Sequence, residues 1–91
     1  MITAIVFVSA ETARIPEVAA EVAAIEGGSE VYSVTGRLDL IALVRVTEFE
    51  DIARIVSDKV NKVPGVVDTE THVAFRAYSS HDLESAFSLG L

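Results

Sequence analysis

The spacing of apolar residues along this chain switches between a strand period and a helix period, and the order of these switches restricts the fold more than any other feature. Residues 2–9, ITAIVFVS, are apolar on both alternating faces, as is typical of a strand covered on both sides. Residues 14–28 then place apolar side chains at helical spacing, with Pro16 suited to the first turn and a Gly pair suited to end the helix. The chain is therefore predicted to begin with a βα unit.

The rest of the chain adds a hairpin and a second helix–strand unit. Residues 29–34, SEVYSV, and 40–46, LIALVRV, are predicted strands, and the short TGRLD segment between them implies antiparallel pairing. Residues 48–63 form a second amphipathic helix with Phe49 on its apolar face, and residues 66–78 alternate as a fourth strand. The order βαββαβ predicts an α+β, ferredoxin-like domain with an antiparallel four-stranded sheet and two helices on one face.

Size and composition predict self-association. Ninety-one residues form one domain, and a 51% share of hydrophobic residues exceeds what one small core requires. Since the helices cover one face of the sheet, we expect the other face to pack on a second copy and form a dimeric α/β sandwich, or barrel. Within the single domain 1–91, residues 1–78 are assigned to the core and residues 79–91 to a C-terminal helical arm.

Several functional classes are excluded by composition. The net charge of −7, without clustered Lys or Arg, predicts no direct nucleic acid contact. The absence of cysteine excludes disulfides and fits a cytoplasmic protein. No stretch approaches the roughly 20 apolar residues that span a bilayer, so no membrane partner is expected.

No enzyme motif is recognisable. The GxSxG and GxxxxGK[ST] motifs are absent. His72 and Glu70 share a strand face, but two candidate ligands without a third do not define a metal site. The sequence therefore predicts no catalytic residue, no metal and no cofactor.

Asp39 stands between Gly36 and an apolar strand, where a carboxylate has two explanations. Gly36 can supply a positive-φ turn while Asp39 accepts hydrogen bonds from nearby backbone N–H groups. Alternatively, the loop N–H groups and Asp39 face a small zwitterion, which needs donors for its carboxylate and an acceptor for its ammonium group. Thr69 and Thr71 share one sheet face and are either ordinary strand residues or the edge of a small polar pocket. The residues alone leave both explanations open.

Two segments, VYSVTGRLDLIALV and VNKVPGVVDTETHVAF, resemble the effector-binding domain of the Lrp/AsnC transcription regulators, also called the regulation of amino acid metabolism (RAM) domain. The resemblance runs from about Ile2 to Tyr78 and rests on the paired Gly-x-x-Asp and Pro-Gly-Val-x-x-Thr-x-Thr patterns. Members of the family usually carry a helix-turn-helix domain ahead of this module. Because this chain starts at the first strand, a stand-alone version is expected.

The resemblance implies a homodimer, further association that is commonly octameric, and an amino acid effector bound between dimers. It makes Asp39 the candidate for the ammonium contact, the loop N–H groups candidates for the carboxylate, and the two threonines candidates for hydrogen bonds at the rim. The predicted ligand-binding residues are Gly36, Arg37, Leu38, Asp39, Thr69 and Thr71. Leu38 stands where the family often has an aromatic residue, so the identity of the effector stays open.

The predicted function is a non-enzymatic amino-acid-binding and oligomerisation module. It would modulate transcription or metabolism through partners such as full-length regulators of the family. The alternatives are a small dimeric α/β-barrel enzyme, such as a monooxygenase or a haem-degrading protein, and a purely structural oligomeriser. The ACT domain is another amino acid sensor with the same strand order, but Pro64, Gly65 and Val66 together with the two threonines favour the Lrp-type module.

Overall fold

The computed structural model describes residues 1–78, and its elements follow the predicted βαββαβ order. Two short 3-10 turns lie before the first helix and after the second. The predicted C-terminal arm over residues 79–91 lies outside the described residues. The elements are β1 (Ile2–Ala10), a 3-10 turn (Thr12–Arg14), α1 (Ile15–Ala23), β2 (Gly28–Ser33), β3 (Leu40–Val46), α2 (Phe49–Asp58), a 3-10 turn (Val60–Lys62) and β4 (Val66–Val73).

The four strands form one sheet in the order β2-β3-β1-β4, and every neighbouring pair is antiparallel. The inner strand β1 therefore pairs on both sides. Near its end, Val8 lies opposite Leu40 of β3 and opposite Thr69 of β4. This register places the start of β3 and the start of β4 on either side of the end of β1.

The helices cover one face of the sheet, as predicted. The alternation of β1 and β3 points one set of side chains at α1 and α2, and these side chains form the core with the apolar stripes of the helices. Burying one such Val, Leu or Ile stabilises the fold by roughly 1.5–3 kcal/mol. The main core residues are Ala4, Val6, Val8, Leu40, Ala42, Val44, Val18, Val22, Ile52 and Ile55.

The opposite face of the sheet is covered by no helix within the described residues. Its centre is apolar and half-buried by neighbouring side chains alone, and it consists of Ile5, Phe7, Ile41 and Leu43. We call this surface the open face. The polar side chains that continue its rows on the outer strands are Glu30, Tyr32, Glu70 and His72.

The boundaries of α1, α2 and β4 differ from the prediction by more than one residue. α1 ends at Ala23 because Ile25 donates to Val22 across a tighter turn, and Gly27 takes the positive φ of 95° just beyond. α2 ends at Asp58 instead of continuing to residue 63, and β4 ends at Val73 instead of residue 78. Phe49, expected on the apolar face of the second helix, begins that helix and is 63% exposed.

Gly65, between the second 3-10 turn and β4, has no room for a side chain. Its φ is 103°, and a Cβ would lie 2.8 Å from Cγ2 of the fully buried Val18 and 3.1 Å from Cβ of Arg14. We expect Gly65→Ala to lower the free energy of unfolding by about 2 kcal/mol, because strain and overlap add. Thermal unfolding should show a melting temperature about 10 °C lower.

Gly36→Ala is the matched control for this prediction. Gly36 has a similar φ of 111°, but no heavy atom lies within 4 Å of its Cβ position. Gly36→Ala therefore reports the backbone strain without the steric overlap. We expect it to lower the free energy of unfolding by less than Gly65→Ala does. Equal losses at the two glycines would contradict the contribution assigned to the contact with Val18.

Candidate functional site

Hydrogen bonds of Asp39 hold the loop 34–39 against the end of β1. Its backbone N–H donates to the carbonyl oxygen of Val8 at 3.1 Å, and its carbonyl oxygen accepts from the N–H of Val34 at 3.0 Å. Its side-chain Oδ2 accepts a hydrogen bond from the N–H of Ala10 at 2.9 Å. Both ends of the loop are thus held at one place on the sheet.

The bond from Ala10 has a clear physical cause. β3 pairs with β1 only as far as Leu40, opposite Val8, so the N–H of Ala10 lies beyond the last paired residue. The Asp39 carboxylate supplies the acceptor that a longer strand would have supplied. The structure therefore gives Asp39 a structural role, but with an N–H 29 residues away rather than with its own turn.

The tip of this loop presents unpaired backbone donors. Gly36 takes the positive φ that the sequence predicted, and its surroundings are open. Within residues 1–78, the N–H groups of Gly36, Arg37 and Leu38 donate to no acceptor. The second carboxylate oxygen of Asp39, Oδ1, also accepts no hydrogen bond from this part of the chain. Donors and an acceptor are therefore available on one loop.

Thr69 and Thr71 share a sheet face, as predicted, and it is the face on which the helices pack. The hydroxyl of Thr69 donates to Oδ1 of Asn61 at 2.6 Å, whereas Thr71 is exposed. Thr69 is separated from Leu40 by β1, which corresponds to roughly 10 Å across two strand spacings. No hydrogen bond among the described residues joins either threonine to the loop 34–39.

A second polar group, which the sequence analysis did not assign to a site, lies on the open face. Nε2 of His72 is 2.8 Å from Oε2 of Glu70, and the His72 ring packs edge-on against Phe7 with 5.4 Å between ring centroids. The hydrogen bond from His72, with a further contribution from the charge of Arg37, lowers the pKa of Glu70. The i, i+2 spacing of Glu70 and His72 was the signal in the sequence. The residues that surround this pair depend on the strand register, which the spacing does not show.

Two cavities of the chain lie at the other end of the sheet, away from Asp39. One, of about 300 Å³, is lined by residues that include Gly27, Arg45 and Ile55. The other, of about 420 Å³, is lined by residues that include Thr3, Arg45 and Phe75. Neither cavity contains a predicted ligand-binding residue.

Neither a metal site nor a membrane-spanning helix is found within the same residues. Among residues 1–78, no group of three or more His, Cys, Asp or Glu side chains is placed to hold a metal ion. In that part of the chain, no helix has both the length and the apolar character needed to cross a bilayer.

The fold places the chain among the ferredoxin-like α+β domains, and its sequence identifies the family. Residues 3–83 match the family described as the Lrp/AsnC ligand binding domain. The chain therefore belongs to the Lrp/AsnC family.

Relatives of this chain are transcriptional regulators. The HTH-type transcriptional regulator PH1916 of Pyrococcus horikoshii is 46% identical over 59 residues, which cover 65% of this chain and 39% of that protein. The chain thus spans about two fifths of the length of this relative.

Solved structures match over nearly the whole fold. TTHA0845 from Thermus thermophilus is 40% identical with a TM-score of 0.82, and the match covers 87% of this chain and 99% of that one. The transcriptional regulator NMB0573 of Neisseria meningitidis, solved as a complex with L-Met, has a TM-score of 0.76 at 21% identity, covering 86% of this chain and 52% of that one. The second likeness concerns the fold alone.

Proposed function

We propose that this domain binds a free amino acid at the loop 34–39 and that binding changes its assembly with other subunits. The observation that carries the proposal is the loop itself, where unpaired N–H donors stand beside the anchored carboxylate of Asp39. Membership of a ligand-binding family supports it. The proposed role is non-enzymatic and uses no cofactor.

The chemistry of the loop matches the two ends of an amino acid. The N–H groups of Gly36, Arg37 and Leu38 would donate to the α-carboxylate, as successive backbone donors do in anion-binding turns. Oδ1 of Asp39 would accept from the α-ammonium group in a charge-assisted hydrogen bond. Thr69 and Thr71 would contribute rim hydrogen bonds, Thr69 only by rearranging its bond to Asn61.

Residues 1–78 of one chain offer only one side of such a site. The space around Gly36 is open, whereas small-molecule sites enclose about 70–90% of the ligand surface. We therefore place the effector in a cleft between dimers, where a neighbouring subunit supplies the second wall. Binding would then favour the higher assembly, octameric by analogy with the family, because a ligand stabilises the state that binds it better.

The dimer itself would form through the open face. Ile5, Phe7, Ile41 and Leu43 give this face an apolar centre that no helix covers within the described residues. Packing against a second copy would bury roughly 800 Å² on each chain if the interface has standard size. In this proposal residues 1–78 form the core of the domain and residues 79–91 an arm.

The partners we propose are full-length regulators of the same family, in the cytoplasm. The relatives are longer than the matched segment, and their names describe HTH-type regulators. We propose that this domain exchanges into dimers of such regulators through the open face and so changes their response to an effector. Nucleic acid would be contacted only by the regulator, which agrees with the net charge of −7.

The test is a thermal unfolding and sedimentation series with each of the twenty amino acids, with methionine first. A true effector at about 100 times its Kd should add about 2.7 kcal/mol, and raise the melting temperature by about 10–20 °C. The N-acetyl derivative removes the ammonium group and the methyl ester removes the carboxylate, so both should lose the effect. If no amino acid changes the melting temperature or the sedimentation coefficient, the chain is a structural oligomeriser instead.

A further inference from the structure

We infer that Glu70 and His72 make association through the open face sensitive to pH, with tighter dimers when His72 is protonated. This rests on the proposed dimer through that face. The inference concerns its regulation by protons, which is independent of any amino acid effector.

The inference rests on where Glu70 and His72 lie in the sheet. On β4, Glu70 lies opposite Phe7 and His72 lies opposite Ile5, so each continues a row of the open face. The His72 ring touches Phe7, and the two polar side chains are 58% and 57% exposed. A second copy that covers Ile5 and Phe7 would also lie over the next residue of each row. Association would therefore remove water from the pair.

The protonation state of His72 determines the net charge that the Glu70–His72 pair carries into the interface. Histidine side chains change charge near pH 6.5, within the physiological range. The pKa of Glu70 is lowered by the hydrogen bond from His72, so its carboxylate stays charged through the pH range in which histidine side chains change charge. Below the pH at which histidine side chains change charge, Glu70 and His72 form an ion pair with no net charge. Above that pH, the Glu70 carboxylate enters the interface without its ion-pair partner, with only the charge of Arg37 to offset part of its own, and burying a charge without a close partner is costly.

Other charged and polar groups also lie on or beside the open face. The charge of Arg37, on the loop 34–39, contributes to lowering the pKa of Glu70 and so offsets part of the carboxylate charge. β1 contributes only Thr3, Ile5, Phe7 and Ser9 to this face, and β3 contributes Arg45 near the far end. β2 contributes Glu30 and Tyr32, and the hydrogen bond between them raises the pKa of Tyr32. β4 adds Asp68, which accepts a hydrogen bond from the N–H of Thr69.

Sedimentation velocity on the complete chain between about pH 5.5 and pH 8, at constant ionic strength, tests the inference over the range in which histidine titrates. We expect the dimer dissociation constant to be about tenfold higher at pH 8 than at pH 5.5, which corresponds to about 1.4 kcal/mol. His72→Gln should remove this dependence. Glu70→Gln should reverse it, since protonated His72 would then enter the interface without a partner.

His81→Gln is the matched control, because it removes the other histidine of the chain and should leave the dependence unchanged. A dimer with the same affinity at every pH would overturn the inference and leave the proposed dimer intact. Loss of the dependence in His81→Gln, or an unreversed dependence in Glu70→Gln, would also overturn it. A chain that is monomeric at every pH would overturn the proposed dimer as well.

Discussion

Replacing Phe7 with glutamate is expected to leave the chain monomeric while preserving its fold. Phe7 lies at the centre of the open face, between Ile41 of β3 and Glu70 of β4, and within residues 1–78 only neighbouring side chains cover it. Aromatic residues at the centre of an interface commonly contribute 2 kcal/mol or more to binding. A carboxylate placed there would also lie opposite Glu70 and would be buried in the proposed interface. We expect the dimer dissociation constant to rise at least about 100-fold.

Sedimentation velocity measures this change, and far-ultraviolet circular dichroism reports whether the fold is kept. The matched control is Ala53→Glu, which adds the same charge at an exposed position of α2, on the other side of the sheet. That variant should remain a dimer. A dimeric Phe7→Glu variant would contradict the proposed interface. Dissociation of the Ala53→Glu variant would show instead that net charge alone controls association.

The order of elements was predictable because each change of apolar period is local. β3 matches the predicted residues 40–46, since an alternating run that follows a tight connection has sharp limits. The ends of the helices were harder to predict. α2 gives way to a 3-10 turn at Val60–Lys62, although Val60 still points into the core, so the apolar spacing continues after the helix has ended.

The candidate site was predictable only in part, because its contacts depend on strand register. The positive φ of Gly36 follows from local chemistry, and the structure has it. The hydrogen bond from Ala10 to Asp39 depends on where β3 stops pairing with β1, which no local pattern reveals. In the same way, alternation places Glu70 and His72 on one face, but only the pairing of β4 with β1 brings His72 against Phe7.

Asp39→Ala and Asp39→Asn are expected to separate the structural role of Asp39 from its proposed binding role. Alanine removes the acceptor of the Ala10 N–H, and Ala10 is only 8% exposed, so water replaces the bond poorly. The free energy of unfolding should fall by about 2–3 kcal/mol, and the melting temperature by about 10–20 °C. Asparagine keeps an oxygen that accepts from Ala10, so its loss of stability should stay below about 1 kcal/mol.

Both variants should nevertheless lose the stabilisation that the amino acid effector gives. Neither presents a negative charge to the α-ammonium group, so the rise in melting temperature that an amino acid gives the native chain should disappear in both. Because Asp39→Asn retains the anchored loop, its failure to respond would locate the ammonium contact at the Asp39 carboxylate and not at the general stability of the loop. A full response in Asp39→Asn would contradict the proposed binding role of Asp39. Its role would then be the structural one, as the acceptor of the hydrogen bond from the Ala10 N–H.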